Sequence, residues 1–391
     1  MKQSISITNL DDNSSIDTLT SAFQTNCKLD FKDAKAMPSE VYTSETFLEL
    51  EQEHLFRSQW QCVGRASTLS NVGDYLTYDL AGQPVVVVLN KKQEIRAYSN
   101  VCLHRMSVLL TGSGNVKSIV CPYHAWGYDL DGKLRGASQM DKQNEFCKSD
   151  YQLPSVRCEV WQGWVYVTLN DDIPAVSEQL SALEALISDY DMEDYIEAFN
   201  EEHEWDCNWK ILAENYMESY HLPIVHKGTV GPHTKLDDVE CPPGHEHFNY
   251  HWFTKEATLP LGNAHPDNQR LQGKWRQTSC LISIYPNHLI TLTPGYFWYL
   301  VLQPNGTSKV QMRFGGGLSK DFMNDPKAAD YINELKTMLV EVNIEDRVGV
   351  ESVMRGVKSR LAVPGQLSHL ERPIYDFANY ISKHVTKKET L

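Results

Sequence analysis

An α+β protein, in which an N-terminal all-β domain precedes a catalytic domain built on a central antiparallel sheet, is the fold class this sequence predicts. Three observations carry the prediction. From Trp60 to Leu169 the chain alternates short β-branched and aromatic runs with turn dipeptides. After about residue 171 helical and strand-like patterns mix. The last third, from Asp325, is again dominated by helical periodicity.

Residues 1 to about 40 are polar and rich in Ser, Thr and Asp, and read as an arm with a frayed start. A helix follows. Ser44 is its candidate N-cap, and Phe47, Leu48, Leu50, His54, Leu55 and Phe56 supply its apolar face. "DYLTYDLAGQPVVVVLN" and "WQGWVYVTLN" are strand runs broken by turn signals at Ala81-Gly82, Asp131-Gly132 and Gln162-Gly163. "VSEQLSALEALISDY" is helical, and a further helix spans roughly Trp209 to Tyr220. "SCLISIYPNHLITLTPGYFWYLVLQP" returns to strands, and Asp325-Pro326 resembles an N-cap followed by a first-turn proline. The expected divisions are 1–45 for the arm and helix start, 46–170 for the β domain and 171–391 for the catalytic domain.

The chain of 391 residues has 41% hydrophobic and 22% charged residues, with room for two cores. No apolar run approaches the ~20 residues that cross a membrane, and the N-terminus lacks the apolar stretch of a signal peptide. A cytoplasmic protein is the expectation. The formal charge of −15 argues against nucleic acid, whose phosphates would be repelled. The nine cysteines are irregularly spaced and read as reduced thiols, apart from two with histidines beside them.

Those two are Cys102 and Cys121, in Cys102-Leu-His104 and Cys121-Pro-Tyr-His124. Structural zinc also uses two Cys and two His, so composition alone leaves zinc open. Zinc fingers, however, place both Cys on one knuckle, whereas each knuckle here supplies one of each. That pattern suits a two-iron cluster with one iron on two thiolates and the other on two imidazoles. Imidazole ligation raises the potential above that of an all-Cys cluster.

C-x-H followed by "CPYHAWGYDLDGKL" resembles the Rieske [2Fe–2S] pattern. The resemblance implies that Cys102 and Cys121 bind one iron and His104 and His124 the other. Gly112 and Gly114 would let the loops turn close to the cluster, and Pro122 would stiffen the second loop.

A Rieske domain only moves electrons, so a destination is expected in the second half. In "NWKILAENYMESYHLPIVHKGT", a continuous helix would set Glu214, Glu218 and His221 on one face, with His226 beyond Pro223. Two imidazoles and one carboxylate form a facial triad that leaves iron open to exogenous ligands. Glu345, Asp346 and Glu351 in "NIEDRVGVESVMRG" are the carboxylate candidates. The resemblance, now to the oxygenase α subunit of Rieske non-heme iron oxygenases, selects Asp346; Met354 stands where many relatives carry Gln.

The same resemblance implies a homotrimer in which the cluster of one subunit faces the iron of its neighbour. Glu218 would bridge His124 of the next chain and His221 of its own. Most ring-hydroxylating members have Asp there. Glu resembles the branch acting on quaternary ammonium compounds, which includes carnitine, glycine betaine, proline betaine and choline oxygenases. The expected reaction is O2-dependent oxidation of a substrate C–H bond at iron(II), giving N-demethylation or C–N cleavage. Electrons would come from NAD(P)H through a separate flavin/iron-sulfur reductase, since no nucleotide-binding Gly-rich motif follows a strand here. Aromatic faces attract such cations, and Tyr216, Tyr285, Tyr296 and Trp298 are the candidates for the pocket. An aromatic ring-hydroxylating oxygenase and an electron-transfer protein without oxygenase activity are the alternatives.

Overall fold

The computed structural model describes residues 12–254 and 260–386. In the first half, strands β1 (Gln61–Arg65), β2 (Asp74–Asp79), β3 (Pro84–Leu89), β4 (Ile95–Ser99) and β5 (Ser113–Asn115) join β9 (Ser155–Trp161) and β10 (Trp164–Thr168). They form a seven-stranded sheet in the order β1-β10-β9-β4-β3-β2-β5. Between β5 and β9 lie β6 (Ile119–Val120), β7 (Gly127–Tyr128) and β8 (Leu134–Gly136), a separate three-stranded sheet. The expected turns are present. Gln162 and Gly163 have φ of 49° and 76°, the left-handed pair that a two-residue hairpin between β9 and β10 requires.

The second half holds β11 (Ile196–Trp205), β12 (Val239–Glu240), β13 (Phe248–Thr254), β14 (Thr278–Ile284), β15 (His288–Leu292), β16 (Tyr296–Pro304) and β17 (Val310–Leu318). Every pairing in its seven-stranded sheet, ordered β11-β17-β16-β15-β14-β13-β12, is antiparallel. The α+β architecture read from the sequence is therefore the one adopted.

Among the helices that frame the sheets are α1 (Asp12–Cys27), α2 (Glu45–Glu51), α3 (Trp209–Tyr216), α4 (Ala328–Val357) and α5 (Arg372–Val385). The polar start is more ordered than its composition suggests. Its first eleven residues lie outside the described residues, but α1 buries Phe23 against Phe47, with ring centroids 5.9 Å apart. Its Cys27 thiol donates to the Ala378 carbonyl of α5 at 3.5 Å. Ser44 caps α2 as expected, accepting from the Phe47 amide at 3.1 Å. The cap expected at Asp325-Pro326 differs. α4 begins at Ala328, and Asp325 instead accepts from the Lys327 amide in the preceding turn.

The two large sheets share a core. Cys62, Trp164 and Tyr166 from the first pack with Ile282, Ile290, Phe297 and Tyr299 from the second. The Asn287 side chain accepts from the Cys62 amide at 3.1 Å and donates back to its carbonyl at 3.2 Å. Tyr166 is hydrogen-bonded to His288 Nδ1 at 2.8 Å. Among the described residues, no helix is long and apolar enough to cross a membrane.

Candidate active site

The two Cys-His knuckles sit at one tip of the first half, on the loops β4–β5 and β6–β7. Like faces like. The Cys102 and Cys121 thiols are buried within side-chain contact of each other, and the His104 and His124 rings lie 4.7 Å apart. Burial works against the Cys121 thiolate, but the Tyr123 and His124 amides and the Cys102 side chain outweigh it and hold its pKa below the ordinary value. Tyr128 Oη lies 3.4 Å from Cys102 Sγ. His104 stacks on Trp126 at 4.9 Å, and its Nδ1 is buried without a hydrogen-bond partner. His124 is exposed, and its pKa is lowered by desolvation and by His104 and Arg105, which favours the neutral ring that metals bind. Paired thiols inside, paired imidazoles outward and an orphaned buried nitrogen fit a [2Fe–2S] cluster with unlike ends.

The second centre begins where α3 stops. The continuous helix expected to Tyr220 ends at Tyr216. The Glu218 carboxylate explains the break: its Oε2 accepts from the amides of both Tyr220 and His221, the latter at 3.1 Å. A side chain that satisfies backbone donors competes with the helix for them. A short helix, Leu222–Val225, restarts with Pro223 in its first turn. Glu214 consequently does not join the cluster; both its oxygens lie 2.9 Å from the Tyr42 hydroxyl.

His221, His226 and Asp346 converge, with one ligand atom from each within 4.8 Å of the others. Among the described residues this is the group of three or more metal-ligand side chains close enough to hold one ion. His221 Nδ1 is 2.5 Å from Glu218 Oε1, and His226 Nδ1 is 2.8 Å from Glu345 Oε2. Their Nε2 atoms lie 3.5 and 3.0 Å from the same Asp346 Oδ1, and that of His226 has no aligned hydrogen-bond partner. Carboxylates on Nδ1 leave Nε2 as the lone-pair donor, the usual arrangement around a metal-bound imidazole. Burial disfavours the His221 imidazolium, but Asp346 and Glu218 lift its pKa to about 9. Burial likewise disfavours the Asp346 carboxylate, yet the two histidines hold it well below the usual range. Three groups that jointly demand positive charge at their centre fit a divalent cation. Of the other carboxylate candidates, Glu345 stands behind His226, and Glu351 pairs with Arg347 at 2.7 Å.

A cavity of about 810 Å³, including its opening to solvent, ends at this cluster. Strand register builds its floor. Leu281, Thr291 and Trp298 are directly paired across β14, β15 and β16, and Phe253 pairs with Ser279 on the same face. Tyr216 and Trp298 meet edge to face at 5.3 Å, and Tyr216 is hydrogen-bonded to Thr291 at 2.9 Å. Tyr216, Tyr296 and Trp298 line the cavity. Tyr285 does not. It packs against Tyr380 and Phe377 of α5, at 4.5 and 5.6 Å, because its place after β14 turns it to the opposite layer. Sequence reasoning missed Trp205 and Phe253 in the wall and Asn215, which donates to Asp346 at 2.9 Å. Only β alternation could have signalled Phe253, by separating it from its neighbour Trp252.

Comparison with known proteins agrees with this architecture. The ring hydroxylating alpha subunit (catalytic domain) family matches residues 192–387, and the Rieske [2Fe-2S] domain family matches residues 59–155. The carnitine monooxygenase oxygenase subunit of Escherichia coli is 34% identical over 346 residues, covering 84% of this chain and 86% of that protein. The chloroplastic choline monooxygenase of Arabidopsis thaliana is 27% identical over 366 residues, covering 90% and 83%. Among solved structures, the quaternary ammonium Rieske monooxygenase CntA in complex with L-carnitine superposes with a TM-score of 0.77 at 25% identity, over 92% of this chain and 97% of that one. Naphthalene 1,2-dioxygenase from Rhodococcus, at 18% identity and TM-score 0.79 over 94% and 98%, shares the fold.

Proposed function

Because this chain belongs to the ring hydroxylating alpha-subunit family of Rieske oxygenases, we propose that it oxidises a C–H bond next to the nitrogen of a quaternary ammonium compound. The observation that carries the reading is the aromatic-walled cavity ending at His221, His226 and Asp346. In this reading Cys102, Cys121, His104 and His124 hold the [2Fe–2S] cluster, and His221, His226 and Asp346 hold the mononuclear iron. The metal centres, when bound, supply O2 activation with electrons that a separate reductase draws from NAD(P)H. The chain's own residues do the rest. Glu218 and Glu345 fix the two imidazoles through Nδ1, and Asn215 fixes the carboxylate. Trp205, Tyr216, Phe253, Tyr296 and Trp298 offer aromatic faces to a cation that has no N–H to donate.

The reading includes a homotrimer joined head to tail, with Glu218 at the bridge. Its support is the exposure of apolar side chains at both ends. Met106 and Tyr123, beside the outward imidazoles, are 80% and 56% exposed, and Tyr220 and Ile224, beside Glu218, are 52% and 69% exposed. Sedimentation of the iron-loaded protein at three times the chain mass checks it. A cytoplasmic location fits the nine unpaired cysteines.

The test is turnover by iron-loaded protein with NADH and a reductase shown to reduce the cluster. Quaternary ammonium compounds and simple aromatics are supplied separately. Formaldehyde or trimethylamine from the former supports the reading. Ring hydroxylation alone overturns it in favour of an aromatic oxygenase.

A further inference from the structure

We infer that His251 of β13, acting through Ser219, is a positioning residue for the Glu218 carboxylate. The inference rests on the reading of Glu218 as the bridge between the cluster of one subunit and the iron site of the next. Glu218 lies outside regular structure. α3 ends at Tyr216, and residues 217–221 run as an irregular turn whose Tyr220 and His221 amides are held by the Glu218 carboxylate itself. A turn closed by its own side chain keeps its shape but not its place. A group that must act at a set distance from partners on other elements needs support from a rigid neighbour.

β13 supplies that support. Its alternate residues Asn249, His251 and Phe253 pair with Ser283, Leu281 and Ser279 of β14. Phe253, Leu281 and Ser279 line the cavity, so His251 and Asn249 face the same layer. Asn249 donates to Met217 Sδ at 3.5 Å and to the Pro373 carbonyl of α5 at 2.7 Å. His251 Nε2 is hydrogen-bonded to the Ser219 hydroxyl at 2.9 Å. The two residues that flank Glu218 are therefore tied to one strand, Met217 through a weak sulfur acceptor and Ser219 through a hydrogen bond of ordinary length. Ser219 is wholly buried while Tyr220 beside it is 52% exposed, so the anchor points into the sheet and the far side of the turn faces out. Burial pushes the His251 pKa down to about 3, leaving a neutral ring that adds no charge beside Glu218. Loss of either partner strands the other without a hydrogen bond in the interior and frees the turn to shift. His226 follows the short helix Leu222–Val225, and Asp346 belongs to α4. Both stay in place when the turn moves, so iron is retained while the path through Glu218 is degraded.

The experiment follows reoxidation of the pre-reduced cluster by O2 in iron-loaded protein, by stopped-flow absorbance, beside iron(II) titration of the metal-free protein. Choline, carnitine, glycine betaine and naphthalene are supplied in turn, and the compound giving the fastest wild-type reoxidation serves for every variant. Ser219→Ala and His251→Leu are each expected to slow reoxidation roughly three- to tenfold, the scale of one hydrogen bond. Iron(II) affinity and KM are expected to stay at their wild-type values, and His251→Gln, which keeps a polar partner for Ser219, is expected to recover most of the rate. The double variant Ser219→Ala/His251→Leu is expected to be no slower than the slower single, because the pair acts as a unit. Additive losses, a His251→Gln variant as slow as His251→Leu, or loss of iron from Ser219→Ala overturns the inference. Ser219→Ala, the smaller change, decides the matter by itself where His251→Leu folds poorly. Glu218→Gln separates the two readings. Slow reoxidation in Glu218→Gln beside a wild-type rate in Ser219→Ala overturns the positioning role and leaves the bridge in place, whereas a wild-type rate in Glu218→Gln overturns the bridge as well.

Discussion

Glu345 and Asp346 are neighbours with different tasks. Asp346 faces both imidazoles, while Glu345 reaches behind His226 and also accepts from the Thr229 hydroxyl at 2.6 Å. Replacing Glu345 with Gln removes the charge that holds the His226 tautomer. Iron affinity is expected to fall roughly 10–100-fold, with the cluster spectrum intact. Titration of the metal-free variant with iron(II) measures this; wild-type affinity would mean that packing alone orients His226. The two Cys-His knuckles were legible in the sequence because a cluster ligand set is written in local spacing. Asp346 was not, since 120 residues separate it from His226, and only a family resemblance selected it from three nearby acids. Tyr285, Trp205 and Phe253 were misplaced or missed for a related reason. Which side of a sheet a residue faces depends on a register that a single strand does not reveal.

At the scale of elements, the active-site helix α3 is gripped by the N-terminal segment. Glu51 of α2 meets Lys210 of α3 at 2.7 Å, and the Trp209 indole donates to the same carboxylate at 3.1 Å. Both charges are fully buried, so each depends on the other. Desolvation opposes both charged forms, raising the Glu51 pKa and lowering that of Lys210, and their mutual attraction opposes those shifts. Lys210→Met leaves Glu51 without a partner and is expected to cost about 3–5 kcal/mol, whereas pairing it with Glu51→Leu restores much of the loss. Denaturant unfolding of the single and double variants checks this; equal losses would show that packing volume, not charge, is at stake. The helix α2 and its cap were readable from Ser44 and the apolar spacing. The early end of α3 was not, because a glutamate that captures two backbone amides has no propensity signature resembling that of Asn or Pro.

For the molecule as a whole, acid stability rests on buried histidines kept neutral. His288 lies against Tyr166 and Trp164 in the core shared by the two sheets, and His251 against Ser219 on the cavity side of the second sheet. Burial pushes the His251 pKa down to about 3 and that of His288 well below its ordinary value. Unfolded chains take up these protons near pH 6.5 and the native state does not. The contribution is therefore fully present above pH 6.5 and is lost as pH falls from there toward 3. Each histidine steepens the loss by about 1.4 kcal/mol per pH unit. His251→Gln, which keeps a polar partner for Ser219, is expected to flatten that limb by one proton's worth; an unchanged slope would show that the ring already titrates in the native state. The same core has a consequence for engineering. Arg65 of β1 donates to the Tyr195 carbonyl at 2.8 Å and lies over Trp164 and Phe297, while Asn287 is bound to Cys62 through both its amide atoms. Such a seam makes the electron-carrying half a poor interchangeable cartridge. A chimera that borrows this half from a relative must carry both sides of the seam with it, or it will inherit unmatched polar groups where neither parent had any.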